Sequence, residues 1–157
     1  METATLKARI KHPVYLLPGT LESLRSFSTT AAKHGVPPAT LEMTNLRASQ
    51  INGCSVCLGL HAAGLKKMGE SDERIFAVGA WRDATCFSDA ERAALALAEH
   101  VTRLSDRSDP VPDSVWDAAA EHYDEEGLAA LVVSLAAINA WNRLNVAVAQ
   151  PAGEAQE

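Results

Sequence analysis

The stretch LAALVVSLAAINAW, residues 128–141, constrains this chain more than any other. Wound at about 100° per residue, it is apolar around nearly its whole circumference. Such a helix must be covered on several sides. A chain of 157 residues is long enough for one domain with a real core, but it has limited room to surround a helix of this kind. Two coverings satisfy the pattern: a central place in the chain's own core, or burial against other subunits. The run is too interrupted, and too short of continuous apolar residues, to read as a membrane span.

The rest of the chain also reads as helical. Leu21, Leu24, Phe27 and Ala31 recur at helical spacing over Thr20 to His34, stopping at Gly35. Pro37-Pro38 opens a helix carrying Leu41, Glu42, Leu46 and Ile51, which ends at Asn52-Gly53. Residues 54–68 form the next helix, with Lys66 and Lys67 at its negative end and Gly69 beyond it. Ser71 caps a short helix through Ala80, and Ser88 with Glu91 forms a capping box for a helix over 89–104. Asp113 caps another through Tyr123, and a long apolar helix runs from Glu125 to Val148. No run of alternating polarity argues for a sheet, so the expected class is all-α. One helical domain is expected over residues 1–150, with PAGEAQE at 151–157 as a disordered tail.

Composition removes several functions. Hydrophobic residues make up 47%, which fits a folded chain rather than a disordered one. A net charge of −6 with no Lys/Arg-rich patch argues against nucleic acid as a partner. Residues 1–12 are mixed and polar, with no signal-peptide run, and no membrane partner is expected. Three cysteines, two of them close together, are not a disulfide framework. A reducing cytoplasm suits them. No glycine-rich dinucleotide or phosphate loop is present, so no cofactor is expected.

Chemistry concentrates in EMTNLRASQINGCSVCLGLH, residues 42–61. Cys54, Cys57 and His61 fall on one stripe of a helix that begins after Asn52-Gly53. Neighbours three and four apart stand about 5–6 Å from each other at Cβ, so the two thiols can meet and the imidazole can meet Cys57. Cys54 sits at the helix start, where free N–H groups and the dipole favour a thiolate. Such placement lowers a thiol pKa from about 8.5 to between about 3.5 and 7.5. If the chain folds back at Asn52-Gly53, Glu42 comes opposite His61, which makes a relay from thiol to imidazole to carboxylate. Two other readings stand beside this one. Glu42 can be a solvated first-turn glutamate, and the cysteines can be half of a zinc site with His61 and Glu42. Against zinc, no second ligand pair appears at metal spacing, since Cys86, His100 and His122 are scattered.

The pattern E-x11-C-x2-C-x3-H, with Asn-Gly before the first cysteine, resembles the alkyl hydroperoxide reductase D (AhpD) family of the carboxymuconolactone decarboxylase-like superfamily. The similarity spans roughly residues 37–105, and AINAWNRLNVA at 137–147 also resembles the end of AhpD-like chains. The resemblance implies a multihelical fold with the site on a helical hairpin, assembled as a homo-oligomer, a trimer or hexamer. It implies a thiol-dependent peroxidase or disulfide reductase acting on hydroperoxides, with Glu42 and His61 relaying protons. Cys57 then carries the sulfenic acid and Cys54 resolves it. A lipoyl-type or thioredoxin-like dithiol would be the electron donor. One position departs from the family: where relatives carry a second histidine just before the second cysteine, this chain has Val56. Carboxymuconolactone decarboxylases generally lack the cysteine pair, so lactone decarboxylation is the weaker expectation. Arg143 could meet a substrate, a neighbouring subunit or nearby helix ends. Cys86 reads as a small buried residue, Trp81 and Trp116 as packing residues, and His12, His34, His100 and His122 as structural or exposed.

Overall fold

A computed structural model describes residues 6–153. Among the described residues, eight α-helices follow one another: α1 (Pro13–Leu16), α2 (Thr20–Thr30), α3 (Pro38–Asn52), α4 (Ser55–Lys67), α5 (Asp72–Ala77), α6 (Asp89–Thr102), α7 (Asp113–Ala120) and α8 (Glu125–Ala147). Two single 3-10 turns, Val78–Ala80 and Leu104–Asp106, follow α5 and α6. There is no strand among the described residues. Of the expected tail, residues 154–157 lie outside the described residues.

Helix α3 is the hub, packed by α4, α6 and α8, while α2 lies along α8. The apolar run found in the sequence is a central core helix of this chain. Leu128, Leu131, Leu135 and Ile138 of α8 are buried with Ala94, Leu97 and Ala98 of α6. Each fully buried Leu of this kind is worth about 1.5–3 kcal/mol. A second core joins Met43, Leu46, Leu65, Val78, Trp81 and Leu95 on the other side of α3. α8 is long and apolar enough to cross a membrane by composition, but 56% of its most apolar window is buried within the fold. Ala129 and Ala136 remain exposed and Val132 and Val133 half-buried, a narrow strip on one side.

Several boundaries differ from the periodicity. α2 stops at Thr30 rather than His34. Its last turn is serine- and threonine-rich, and the hydroxyls of Ser28, Thr29 and Thr30 bond back to carbonyls of Leu24, Arg25 and Ser26. Such bonds compete with the helix ladder. Lys33 then turns left-handed at φ 69°. Asp113 lies in the first turn of α7, whose cap position is Pro112. That helix ends at Ala120, because Tyr123 turns inward to donate to Ala90 O and Asp124 is needed to cap α8. The helix after Ser71 tightens into a 3-10 turn from Val78, and α6 ends at Thr102 rather than 104. The capping box of Ser88 and Glu91 is present as expected. α1 is too short for periodicity to show; His12 caps it and Pro13 opens it. Trp81 is buried as a packing residue, but Trp116 is 39% exposed on α7, and Cys86 is only half-buried.

Candidate active site

The turn between α3 and α4 makes the site. Gly53 takes φ 67°, a left-handed conformation that glycine enters without a Cβ penalty. Its N–H bonds Gln50 O and the Cys54 N–H bonds Ser49 O, which closes α3 in a Schellman motif. The chain reverses, and Cys54 becomes the cap residue of α4: its Sγ accepts from the Cys57 backbone N–H at 3.4 Å. A sulfur thus stands where an Asp or Ser oxygen usually sits, facing unpaired N–H groups.

The two sulfurs are 2.7 Å apart, as free thiols, and both cysteines are buried. The pair therefore shares a proton. Cys54 is held at a pKa of about 6, chiefly by the hydrogen bond from the Cys57 thiol; burial opposes this, and the Cys57 N–H and Asn142 side chain add to it. Cys57 is pushed up, first by donating to Cys54, then by burial and by the neighbouring thiolate charge. The surroundings thus favour the ionised form at Cys54 and disfavour it at Cys57.

The hairpin brings Glu42 onto His61, with Nδ1 and Oε2 2.8 Å apart and both side chains largely covered. A carboxylate can only accept, so Nδ1 is the donor in this bond and Nε2 is the nitrogen that Glu42 does not engage. Gly64, one turn beyond His61, makes this possible. A Cβ there would come within 2.9 Å of Glu42 Oε2, so the carboxylate lies directly on the α4 backbone. Glu42 is thus paired with His61 and largely covered, not a solvated first-turn residue.

The cysteine pair lies between two cavities. One, of about 290 Å³, is lined by Cys57 and His61 together with Arg25, Leu60, Ile138 and Trp141. The other, of about 450 Å³, reaches Cys54 beside Lys7, Ser55 and Val146. Cys57 thus borders one cavity and Cys54 the other. Val56, at the position that departs from the family, lines the first cavity as an apolar residue.

The asparagines of α8 escaped the sequence reading. Asn139, Asn142 and Asn145 are all buried. Asn145 Nδ2 donates to Cys57 Sγ at 3.5 Å and to Trp141 O at 3.0 Å. Asn142 donates to Ser49 Oγ and accepts from Asn52, and its side chain favours the ionised form of both thiols. Three asparagines at spacing three on an otherwise apolar helix were the available signal. His12, which has no partner in the sequence pattern, is buried against Trp141, with ring centroids 6.4 Å apart. Arg143 lies elsewhere: it donates to Asn139 O and Oδ1 and lines a polar cleft with Arg47 and Asn52. His34 pairs with Glu126, and His100 bonds Pro110 O, both away from the cysteines. Among the described residues, no group of three or more His, Cys, Asp or Glu is arranged to hold a metal ion.

Known proteins share this arrangement of helices. The sequence profile of the carboxymuconolactone decarboxylase family matches residues 18–100. The uncharacterised protein YdfG of Bacillus subtilis is 40% identical over 109 residues, 69% of this chain and 73% of its own length. The uncharacterised YnjA of Escherichia coli is 29% identical over 115 residues, 73% of this chain and 62% of its own. A crystal structure from Agrobacterium tumefaciens, of a protein of unknown function assigned to antioxidant defence as an AhpD, superposes with a TM-score of 0.86 at 26% identity. It covers 95% of this chain and 100% of its own. The debrominase Bmp8 shares the fold at a TM-score of 0.75 and 20% identity, covering 88% of this chain and 73% of its own. With a family profile across more than half its length and this fold, the chain belongs to the carboxymuconolactone decarboxylase family, as an AhpD-like member.

Proposed function

We propose that the protein is a thiol-dependent peroxidase, and equally a disulfide reductase, that reduces hydroperoxides at Cys57. The observation that carries the reading is the cavity shared by Cys57 and His61, with Glu42 bonded to His61 and the second thiol 2.7 Å from Cys57. Cys57 is the attacking residue because its cavity also holds the acid–base group. His61 Nε2 takes the Cys57 proton while Glu42 steadies the imidazolium. The Cys57 thiolate then attacks the distal peroxide oxygen, the O–O bond breaks, and His61 returns the proton to the leaving alkoxide. The products are an alcohol and a sulfenic acid on Cys57. The Cys54 thiolate, stabilised at the helix start, attacks that sulfur; the S–S bond forms, and hydroxide leaves as water with a proton from solvent. The pair has lost two electrons, and the peroxide has gained them.

A dithiol donor resets the pair by thiol–disulfide exchange. We assign its approach to the Cys54 side, whose separate cavity is the wider of the two. A lipoyl-type or thioredoxin-like dithiol in a reducing, cytoplasmic setting fits this chemistry. The same proposal includes a homo-oligomer, a trimer or hexamer, that covers the strip of Ala129, Val132, Val133 and Ala136. Light scattering that finds only monomer would remove that part.

The test is peroxide consumption with a panel of dithiol donors, run on the wild type and on Cys54→Ser and Cys57→Ser. Loss of turnover in both variants, with a trappable sulfenic acid on Cys57 in Cys54→Ser, supports the reading. Activity on a lactone that survives loss of both cysteines would favour decarboxylation instead.

A further inference from the structure

His12 comes from the segment before α1, far from the motif in sequence, yet it is 4% exposed and lies over the end of α8. That segment is fastened there: Arg9 N–H bonds Val148 O at 2.8 Å, and Arg9 Nη1 bonds Ala147 O. The ring packs between Tyr15 and Trp141. Its Nδ1 accepts from the Val14 backbone N–H at 3.3 Å. A backbone amide can only donate, so in the neutral ring the proton is on Nε2. Burial lowers the pKa of His12 and keeps the ring neutral, while the Asn145 side chain acts in the opposite sense.

Asn145 is fixed from the other end. Trp141 O can only accept, so the Asn145 nitrogen must face it, and the same nitrogen faces Cys57 Sγ. This leaves Asn145 Oδ1 pointing away as an acceptor. Among the described residues, two buried side-chain polar atoms have no hydrogen-bond partner, His12 Nε2 and Asn145 Oδ1. One is a donor and the other an acceptor, and both side chains lie on Trp141: the His12 ring at 6.4 Å between centroids, and Asn145 through its 3.0 Å bond to Trp141 O. Buried groups left unsatisfied are costly, so a complementary donor and acceptor favour pairing with each other.

We propose that His12 is a positioning residue of the thiol site, its Nε2–H holding Asn145 Oδ1 so that the Asn145 N–H donates to Cys57 Sγ. The order of donation is Val14 N–H to His12 Nδ1, His12 Nε2–H to Asn145 Oδ1, and Asn145 Nδ2–H to Cys57 Sγ. The apolar Val56 leaves the cavity side of Cys57 with His61 as its imidazole, and His12 acts on the same sulfur from behind, through an amide. The proposal concerns the ionisation of Cys57. It adds a residue to the site of the proposed peroxidase but does not need turnover to be measured.

The experiment reads the rate of Cys57 alkylation by iodoacetamide at neutral pH, in a Cys54→Ser background, with mass spectrometry separating Cys57 from Cys86. Asn145→Leu removes the donor to sulfur, and alkylation should fall roughly fivefold, as expected for one hydrogen bond of ordinary net strength. His12→Asn keeps an acceptor for the Val14 N–H but is too short to reach Asn145, so it should produce the same fall. His12→Gln places a donor near the Nε2 position and should restore the rate, even though it weakens the α1 cap. Adding His12→Asn to Asn145→Leu should bring no further loss, because the two act in series. A merely structural His12 gives the reverse pattern: His12→Asn silent and His12→Gln harmful, or losses that add in the double variant. Either result overturns the proposal. Should His12→Asn fail to fold, the His12→Gln rate and its combination with Asn145→Leu decide the matter. Peroxide-driven disulfide formation in the wild type, measured apart, shows whether the peroxidase reading stands on its own.

Discussion

Two buried polar clusters flank α3, and they are built on opposite plans. On the α6 side, Glu99 is saturated. Its Oε1 accepts from Arg47 Nε and Trp81 Nε1, each at 2.9 Å, and its Oε2 from Arg82 Nη1 at 2.7 Å. On the α4 side, two sulfurs share one proton, and His12 Nε2 and Asn145 Oδ1 have no formed partner. Three fixed donors engage both oxygens of Glu99 and tie α6 to α3 through Arg47. The α4 side instead holds two sulfurs in mutual contact and two polar atoms without a formed partner. The first arrangement ties helices together, and the second is the one that the proposed chemistry would use.

The largest expected effect falls on the chemical side. His61→Ala should slow peroxide reduction by about 10²–10⁴-fold, the usual worth of general acid–base assistance, while leaving the disulfide able to form. Glu42→Gln should slow it less, because the imidazole remains. Steady-state turnover on folded variants checks both. Rates near wild type would reduce this pair to the same structural role as Glu99.

The converse variant is Glu99→Ala. It leaves Arg47 without its carboxylate and should cost about 3–5 kcal/mol of stability, read by urea unfolding, with thiol alkylation rates unchanged. Burial alone would raise the Glu99 pKa, but the donors Trp81, Arg82 and Arg47 outweigh it and hold the carboxyl below its ordinary value. A depressed folded pKa means that this stability is present above the unfolded carboxyl pKa of about 4.3 and is lost as pH falls through the folded value. The wild type should therefore lose stability on acidification more steeply than Glu99→Gln. Parallel pH curves would mean that Glu99 is not the structural anchor described.

A smaller change sharpens the boundary between the two plans. Gly64→Ala puts a methyl where Glu42 Oε2 now lies, at 2.9 Å from the new Cβ. Alanine favours the helix over glycine by roughly 1 kcal/mol, so the protein should melt no lower than before. Turnover should nevertheless fall, by roughly tenfold if Glu42 loses its hold on His61. An unchanged rate would show that the glutamate can shift without consequence.

The sequence carried the helical content and the break at Gly53, because each depends on local spacing and one turn; the meeting of Glu42 with His61 stayed open on spacing alone, since it depends on whether the chain folds back there. It also showed that α8 must be surrounded; it could not say by what, since apolar character does not distinguish neighbours in the same chain from those in another. The asparagines of α8 and His12 stayed hidden for a different reason. Asn145 and His12 lie 88 and 45 residues from Cys57 in the chain, and only tertiary packing brings Asn145 to its sulfur and His12 onto Trp141. Gly64 was equally silent, because a glycine inside a helix declares its purpose only when the carboxylate lying on it is seen. Ser28, Thr29 and Thr30 shortened α2 through hydroxyl bonds that an apolar stripe does not register.

The central claim is that Cys54 and Cys57 act as one two-electron unit. Its most direct test is mass spectrometry of the wild-type protein after mild peroxide, with remaining thiols alkylated. The account predicts an intramolecular Cys54–Cys57 disulfide, a mass lower by about two hydrogens, and Cys86 still open to alkylation. Oxidation of Cys86 while Cys54 and Cys57 both remain free thiols would contradict it.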